Sequence, residues 1–255
     1  MPRARANGME LEYDSFGAPT GAPLLLINGL GPQMIGWDDD FCRLLVDRGF
    51  RVIRFDNRDV GLSTRPEEPH TLDDMAGDTA GLLDALGIRA AHVVGASMGG
   101  FIAQLVALNH PERVLSLTSI MSGSNGPDQV APTDEARALL VEPAAETREG
   151  RIERARIAAA IDRGYNPAGF IRQLQAITAA TGRLERLRSL RVPTLVIHGD
   201  ADILVPVENG RRVAAAIPGA RLVEIQGMGH DVPPRVWTQV ADEIATLARQ
   251  AASAC

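Results

Sequence analysis

Chemistry in this chain starts at a serine. Residues 93–100 read Val-Val-Gly-Ala-Ser-Met-Gly-Gly. An apolar run leads into this turn and an apolar helical pattern leaves it. A serine in a small-x-Ser-x-small turn between a strand and a helix has its hydroxyl lifted above the strand end, beside a helix N-terminus. Gly95 and Gly99 suit such a turn, because a Cβ at either position would crowd the neighbouring chain. Ser97 itself is expected at strained backbone angles. A hydroxyl is a weak nucleophile until a base takes its proton, and the chain offers five histidines. His70 follows Pro69 in a loop, His92 opens a strand, His110 stands at a helix end before Pro111, and His198 closes a strand. His230 lies in Gly227-Met228-Gly229-His230-Asp231, a glycine-rich turn after the last expected strand. Such a turn can hold an imidazole over the sheet edge without committing it to packing, so His230 is assigned as the base.

The imidazole needs an acceptor on its other nitrogen, to fix its tautomer and to stabilise the imidazolium. The strand ending at Ile197 runs into His198-Gly199-Asp200-Ala201-Asp202. Asp202 follows the glycine turn and is expected to swing over the sheet end. Asp200 sits within the turn and suits a brace on backbone N–H groups. Asp202 is therefore preferred as the acid. Metal ligation by His198, Asp200 and Asp202 is the weaker alternative, because no complementary cluster stands elsewhere. Attack on a carbonyl also needs donors for the oxyanion. The backbone N–H of Met98, just after the nucleophile, is one. The N–H of Leu30, in Asn28-Gly29-Leu30-Gly31, is the other. No metal and no organic cofactor is expected, since neither a GxGxxG nor a P-loop spacing lies near the serine turn.

Several elements must position these groups. Strands are expected at residues 9–16 (an early edge strand), 24–27, 51–55, 91–94, 114–120, 192–197 and 221–225. Helices are expected at 37–48, 72–86, 98–109, 208–217 and 236–248. The inner strands are apolar throughout rather than alternating, which implies burial on both faces and a mostly parallel sheet covered by helices. The rhythm breaks after Met121. Residues 122–132 read as a loop, and three helical segments follow near 134–140, 147–161 and 167–180 before the sheet resumes. Residues 1–121 and 191–255 are thus expected to form an α/β core, and 122–190 a helical cap inserted at the strand ends, where such sheets bind ligands. A longer helical crossover packed on the sheet is the alternative.

Composition narrows the partners. The chain has 255 residues, 45% of them apolar, which suits one large domain with a small insertion. The net charge is -6 and every one of the 26 basic side chains is arginine. An acidic balance without basic clusters points away from nucleic acid and anionic membrane. Two cysteines, Cys42 and Cys255, give no disulfide framework, and Cys42 reads as a small core residue in a helix. The opening Met-Pro-Arg-Ala-Arg-Ala-Asn-Gly is basic with no apolar stretch behind it, so no signal peptide and a cytoplasmic location are expected. No apolar run reaches the length of a membrane span.

The assembled motifs resemble the α/β-hydrolase superfamily, and more narrowly its bacterial esterase branch that includes aclacinomycin methylesterase. The matching stretches are Asn28-Gly29-Leu30-Gly31 with Trp37, residues 52–63 around Asp56-Asn57-Arg58-Asp59, Gly95-Ala96-Ser97-Met98-Gly99-Gly100, residues 192–202, and Gly227-Met228-Gly229-His230. The order Ser97, Asp202, His230 is that superfamily's triad order. The resemblance implies Ser97 as nucleophile, Asp202 as acid, His230 as base, and the Leu30 and Met98 N–H groups as oxyanion hole. It implies hydrolysis of small-molecule carboxylic esters through an acyl-enzyme. Lactone hydrolysis, carbon–carbon bond hydrolysis and perhydrolysis use the same three residues and stand as alternatives; a catalytically inactive ligand-binding protein is the non-enzyme alternative. The charges of residues 56–59 are implied to brace the site rather than react. Asn28 departs from the histidine many members carry there, and the cap is shorter than in the anthracycline methylesterase, so that enzyme's large polycyclic substrate is not carried over. Met34, Trp37, Met121 and Met228 lie in segments expected to face the site and make it apolar, with core packing as the alternative.

Overall fold

A computed structural model describes residues 1–127, 129–136 and 163–253. The helix expected over 147–161, the second half of that over 134–140, and Cys255 lie outside the described residues. Eight strands form one sheet: β1 (Arg3–Ala6), β2 (Met9–Phe16), β3 (Ala22–Ile27), β4 (Phe50–Phe55), β5 (Ala91–Ala96), β6 (Val114–Ile120), β7 (Thr194–Gly199) and β8 (Arg221–Ile225), in the spatial order β1-β2-β4-β3-β5-β6-β7-β8. The first two pairings are antiparallel and the rest, from β4 across to β8, are parallel. Leu24 to Ile27, Val93 and Leu195 to Ile197 are fully buried, as continuous apolar strands covered on both faces must be. The order reverses between β3 and β5. The loops leaving these two neighbours turn to opposite sides and open a crevice at the carboxyl ends of the strands.

Helices cover both faces. One core layer joins α2 (Leu72–Ala85), α3 (Met98–Asn109) and α6 (Val207–Ala216) to the sheet; the other joins α1 (Asp39–Val46) and α7 (Trp237–Ser253). Local chemistry sets their starts. The Asp38 side chain caps α1 by accepting from the Asp40 N–H, which leaves Trp37 outside the helix expected to contain it. Thr71 and Asp74 form a reciprocal capping box at α2. Cys42 is buried in α1, and burial pushes its thiol up to about 12, so it behaves as an apolar side chain.

Between β6 and β7 the described residues contain loop, a helical start at 134–136, α4 (Pro167–Ala179) and the short α5 (Leu184–Leu187), with no strand among them. This is the α/β-hydrolase architecture with a helical cap region. Gly169, Gln173 and Ala176 form the buried face of α4, at the spacing of one helical stripe.

Three expectations need correction. The strand at 9–16 is not at the edge: β1 pairs outside it through a hairpin whose turn residues, Asn7 and Gly8, have φ of 48° and 80°. Asn-Gly is the preferred pair for a two-residue turn with both central residues left-handed. Strand β7 begins two residues later than expected and runs through His198 to Gly199, so His198 is part of the sheet. The C-terminal helix is preceded by a 3-10 turn at Pro234–Val236 and extends to Ser253.

Candidate active site

Strand β5 ends at Ala96 and α3 begins at Met98, leaving Ser97 alone to make the turn. Its backbone sits at φ 56° and ψ −121°, a region that L-residues rarely occupy. Neighbouring contacts hold it there. The Ser97 N–H donates to the Ile120 carbonyl at 2.9 Å, and the Ser122 hydroxyl donates to the Ser97 carbonyl at 2.9 Å. The glycines are required by space: a Cβ on Gly95 would overlap the Gly99 carbonyl, and one on Gly99 would overlap the Ile27 carbonyl. The result aims the hydroxyl out of the strand end and into the crevice between β3 and β5.

Ser97, His230 and Asp202 come together there. Ser97 Oγ is 2.9 Å from His230 Nε2, and His230 Nδ1 is 2.8 Å from Asp202 Oδ2. A carboxylate only accepts, so Nδ1 carries the proton and Nε2 is left to accept the serine hydroxyl hydrogen. Asp202 Oδ1 accepts from the Leu204 and Val205 N–H groups, both at 2.9 Å. Burial alone would raise the Asp202 carboxyl. The charge of His230, the hydrogen bonds from His198 and His230, and the Val205 N–H outweigh it and hold the group at about 2. Asp202 is therefore ionised wherever the imidazole is at work.

Asp200, the competing carboxylate, faces away and accepts from the Gly227 N–H at 2.6 Å, bracing the turn that carries His230. His198 is fully buried; its Nε2 donates to the Val205 carbonyl at 2.7 Å and lies 3.5 Å from Asp202 Oδ2. Asp200 thus turns away from His198 and Asp202, and among the described residues no three potential ligands are grouped to hold a metal ion. The remaining histidines serve elsewhere. His92 is buried against the Ser116 hydroxyl at 2.8 Å and pushed down to about 4 by burial. His70 is buried beside Asp59, lowered by burial and by the nearby Arg58 charge. His110 stands at the C-terminal end of α3.

The loop after β3 completes the crevice. A Cβ on Gly29 would lie 3.1 Å from Ser97 Cβ, so this loop approaches the nucleophile as closely as glycine permits. Among the described residues no group accepts from the N–H of Leu30 or of Met98. The loop is tied at its ends: Asn57 Nδ2 donates to the Asn28 carbonyl at 3.2 Å, Asn28 Nδ2 to the Gln33 carbonyl at 2.8 Å, and the Met34 N–H to Asp56 Oδ1 at 2.7 Å. The buried charges of residues 56–59 are structural. Arg58 pairs with Asp78, Asp56 receives Arg163 at 3.2 Å, and Asp59 receives Arg172 of α4 at 2.8 Å. Burial raises the Asp56 carboxyl, against the Met34 N–H and Arg163, which lower it.

Met34, Trp37, Met121 and Met228 are buried, none more than 5% exposed. Trp37, Met121 and Met228 belong to the core layer shared with α1 and α7, and Trp37 stacks on Phe41 with ring centroids 5.7 Å apart. Their packing is that of core side chains. Phe170 of α4 meets the oxyanion loop, its ring 2.9 Å from where a Cβ on Gly31 would stand. Two positions beside the site escaped the reading of motifs, the Ser122 hydroxyl and Gln173 of α4. Neither lies in a recognisable motif, and Gln173 meets its partner Gly31 only through the fold, 142 residues away.

Residues 22–143 match the family model of the alpha/beta hydrolase fold, and residues 175–249 that of the TAP-like proteins. The chain is 34% identical to rhodomycin D methylesterase DauP of Streptomyces sp. (strain C5), over 93% of this chain and 94% of that one. Its fold matches the meta-cleavage product hydrolase CumD of Pseudomonas fluorescens IP01 with a TM-score of 0.78 at 26% identity, over 98% of each chain. It matches the enol-lactonase of Burkholderia xenovorans LB400 with a TM-score of 0.77 at 27% identity, over 99% of this chain and 100% of that one. The likeness to the methylesterase covers 93% of the chain. On that ground the chain belongs to the α/β-hydrolase superfamily, on the esterase branch beside the Streptomyces rhodomycin methylesterases.

Proposed function

We propose that this protein hydrolyses small carboxylic esters, lactones included, through an acyl-enzyme on Ser97. The observation that carries the reading is the unbroken chain from Ser97 Oγ through His230 to Asp202, at 2.9 and 2.8 Å. In this mechanism Ser97 Oγ attacks the carbonyl carbon and its proton passes to His230 Nε2. The oxyanion is held by the Leu30 and Met98 N–H groups, each worth roughly 3–4 kcal/mol in the transition state. The tetrahedral species collapses, the leaving alcohol takes the proton from the imidazolium, and water repeats both steps on the acyl-enzyme. Backbone donors suit the task because they are oriented before the reaction begins.

Residues 122–190 act as the cap in this reading, and α4 supplies its wall over the oxyanion loop. The methylesterase relative supports an ester. The enol-lactonase supports a cyclic one. The likeness to a meta-cleavage product hydrolase favours a second reading, in which the same residues cleave a carbon–carbon bond next to a carbonyl. A panel of p-nitrophenyl esters of increasing acyl length, run beside lactones and a meta-cleavage product, tests all three. Turnover of esters and lactones with none of the meta-cleavage product is the expected result. Turnover confined to the meta-cleavage product would replace the first reading by the second.

A further inference from the structure

The oxyanion loop carries a glycine on each side of Leu30. Leu30 is flanked by Gly29 and Gly31, and Gly31 has φ of 87°, so the peptide units on both sides of Leu30 lack the steric brake a Cβ provides. Its ends are tied through Asn28, Gln33 and Met34. A side chain of α4 ties its middle. Gln173, fully buried on α4, accepts the Gly31 N–H on Oε1 at 3.1 Å and donates from Nε2 to the Arg58 carbonyl at 2.9 Å. A carbonyl accepts only, so the bond to Arg58 fixes which end of the carboxamide faces Gly31. The helix that carries Gln173 is itself held on the 56–61 turn, where Arg172 reaches Asp59 Oδ2 at 2.8 Å and Asn166 Nδ2 donates to the Asp59 carbonyl at 3.0 Å. Phe170, one turn before Gln173, lies against Gly31 from the same helix.

We propose that Gln173 is a positioning residue for the oxyanion hole: by holding the Gly31 N–H it sets the direction of the neighbouring Leu30 N–H, so that seating of the cap helix and stabilisation of the transition state are one event. This rests on the functional reading above, in which the Leu30 N–H receives the oxyanion. The binding surface for the ground-state ester is not what Gln173 supplies. Its loss therefore acts on the step where negative charge develops, and only weakly on substrate binding.

The test compares Gln173→Met, which keeps the length and removes both hydrogen bonds, with Gln173→Glu, which keeps an oxygen facing Gly31. Each is measured for kcat and KM on a p-nitrophenyl ester, for inhibition by phenylboronic acid, for the rate of Ser97 labelling by a fluorophosphonate, and for Tm. Gln173→Met is expected to lower kcat by about tenfold to a hundredfold, the scale of a misplaced catalytic group. KM should stay within about threefold, because uniform binding is untouched. The phenylboronic acid Ki and the labelling rate should worsen in step with kcat. Gln173→Glu should lose less kcat than Gln173→Met. The proposal is overturned if Gln173→Met keeps wild-type kcat, if the loss falls on KM alone, if the boronate Ki does not move, or if Gln173→Glu is as impaired in kcat as Gln173→Met. A wild type that is not labelled at Ser97 removes the functional reading and this inference together. A labelled wild type with an unaffected Gln173→Met removes this inference only.

Discussion

Ser97, Asp202 and His230 reach one another from the ends of three strands, and each predicts a different loss. Ser97→Ala should fold and retain less than about 1% of ester turnover, with fluorophosphonate labelling abolished. Labelling at another residue would show that the nucleophile lies elsewhere. The two carboxylates of the 198–202 turn separate by their partners. Asp202 holds the imidazole, whereas Asp200 holds the Gly227 N–H. Asp202→Asn should lower kcat by about 10⁴-fold, as loss of a triad aspartate does in proteases. Asp200→Asn should lower Tm and leave kcat within about tenfold, because it loosens the turn without touching the tautomer. Steady-state kinetics on the two folded variants decides, and a reversed order would make Asp200 the acid.

At the scale of elements, α4 is expected to govern what the site accepts. Phe170 rests on Gly31, so Phe170→Ala should widen the space beside the acyl group. A change of a methylene or so in a buried pocket shifts discrimination by about 1–3 kcal/mol, so the expected outcome is a graded gain in kcat/KM for long over short acyl esters. An equal change on every ester would mean that specificity lies in the loops after the strands. How far such elements could be read in advance follows from the kind of signal each carries. The nucleophile turn was legible because local sterics demand glycine at 95 and 99. Strands β3, β5 and β7 were legible because burial on both faces leaves an apolar run at their centres. Strand β1 was missed although Asn7-Gly8 announces a tight hairpin: Arg3-Ala4-Arg5-Ala6 has too little apolar content to read as a strand by itself. Helix α5 is a single turn, too short for periodicity to register. The acid and base were found because the glycine turns isolate them. Gln173 was not, since a buried glutamine in a helix is identified by what it touches. The four apolar side chains at 34, 37, 121 and 228 are buried, three of them in the core layer shared with α1 and α7.

For the whole molecule, the site is a product of the reversal in strand order. Ser97 and His230 are 133 residues apart and Gly31 and Gln173 142 apart, so neither bond exists until both halves of the sheet are assembled with α4 across the crevice. Among the described residues no helix is long and apolar enough to cross a membrane. The buried acid also leaves a mark on global stability. The Asp202 carboxyl is depressed from 3.8 to about 2 on folding. A depressed acid stabilises the folded state fully above its unfolded value and loses that contribution as pH falls through its folded one. The wild type should therefore exceed Asp202→Asn in unfolding free energy above pH 3.8, and the gap should close as pH falls towards about 2. Urea titrations of both proteins at several pH values measure this. A gap that widens on acidification would contradict the assigned ionisation.

The backbone of Ser97 carries an evolutionary consequence. At φ 56° and ψ −121° a Cβ is unwelcome, and glycine is the residue the fold itself would choose. Ser97→Gly should therefore be more stable than Ser97→Ala by roughly 1 kcal/mol, visible as a higher Tm, although both are inactive. An unchanged or lower Tm for the glycine variant would show that the turn accommodates a side chain freely. If the difference is found, persistence of serine at this position is itself a record of selection for turnover. A lineage released from that selection would drift toward glycine and gain robustness as it lost its nucleophile.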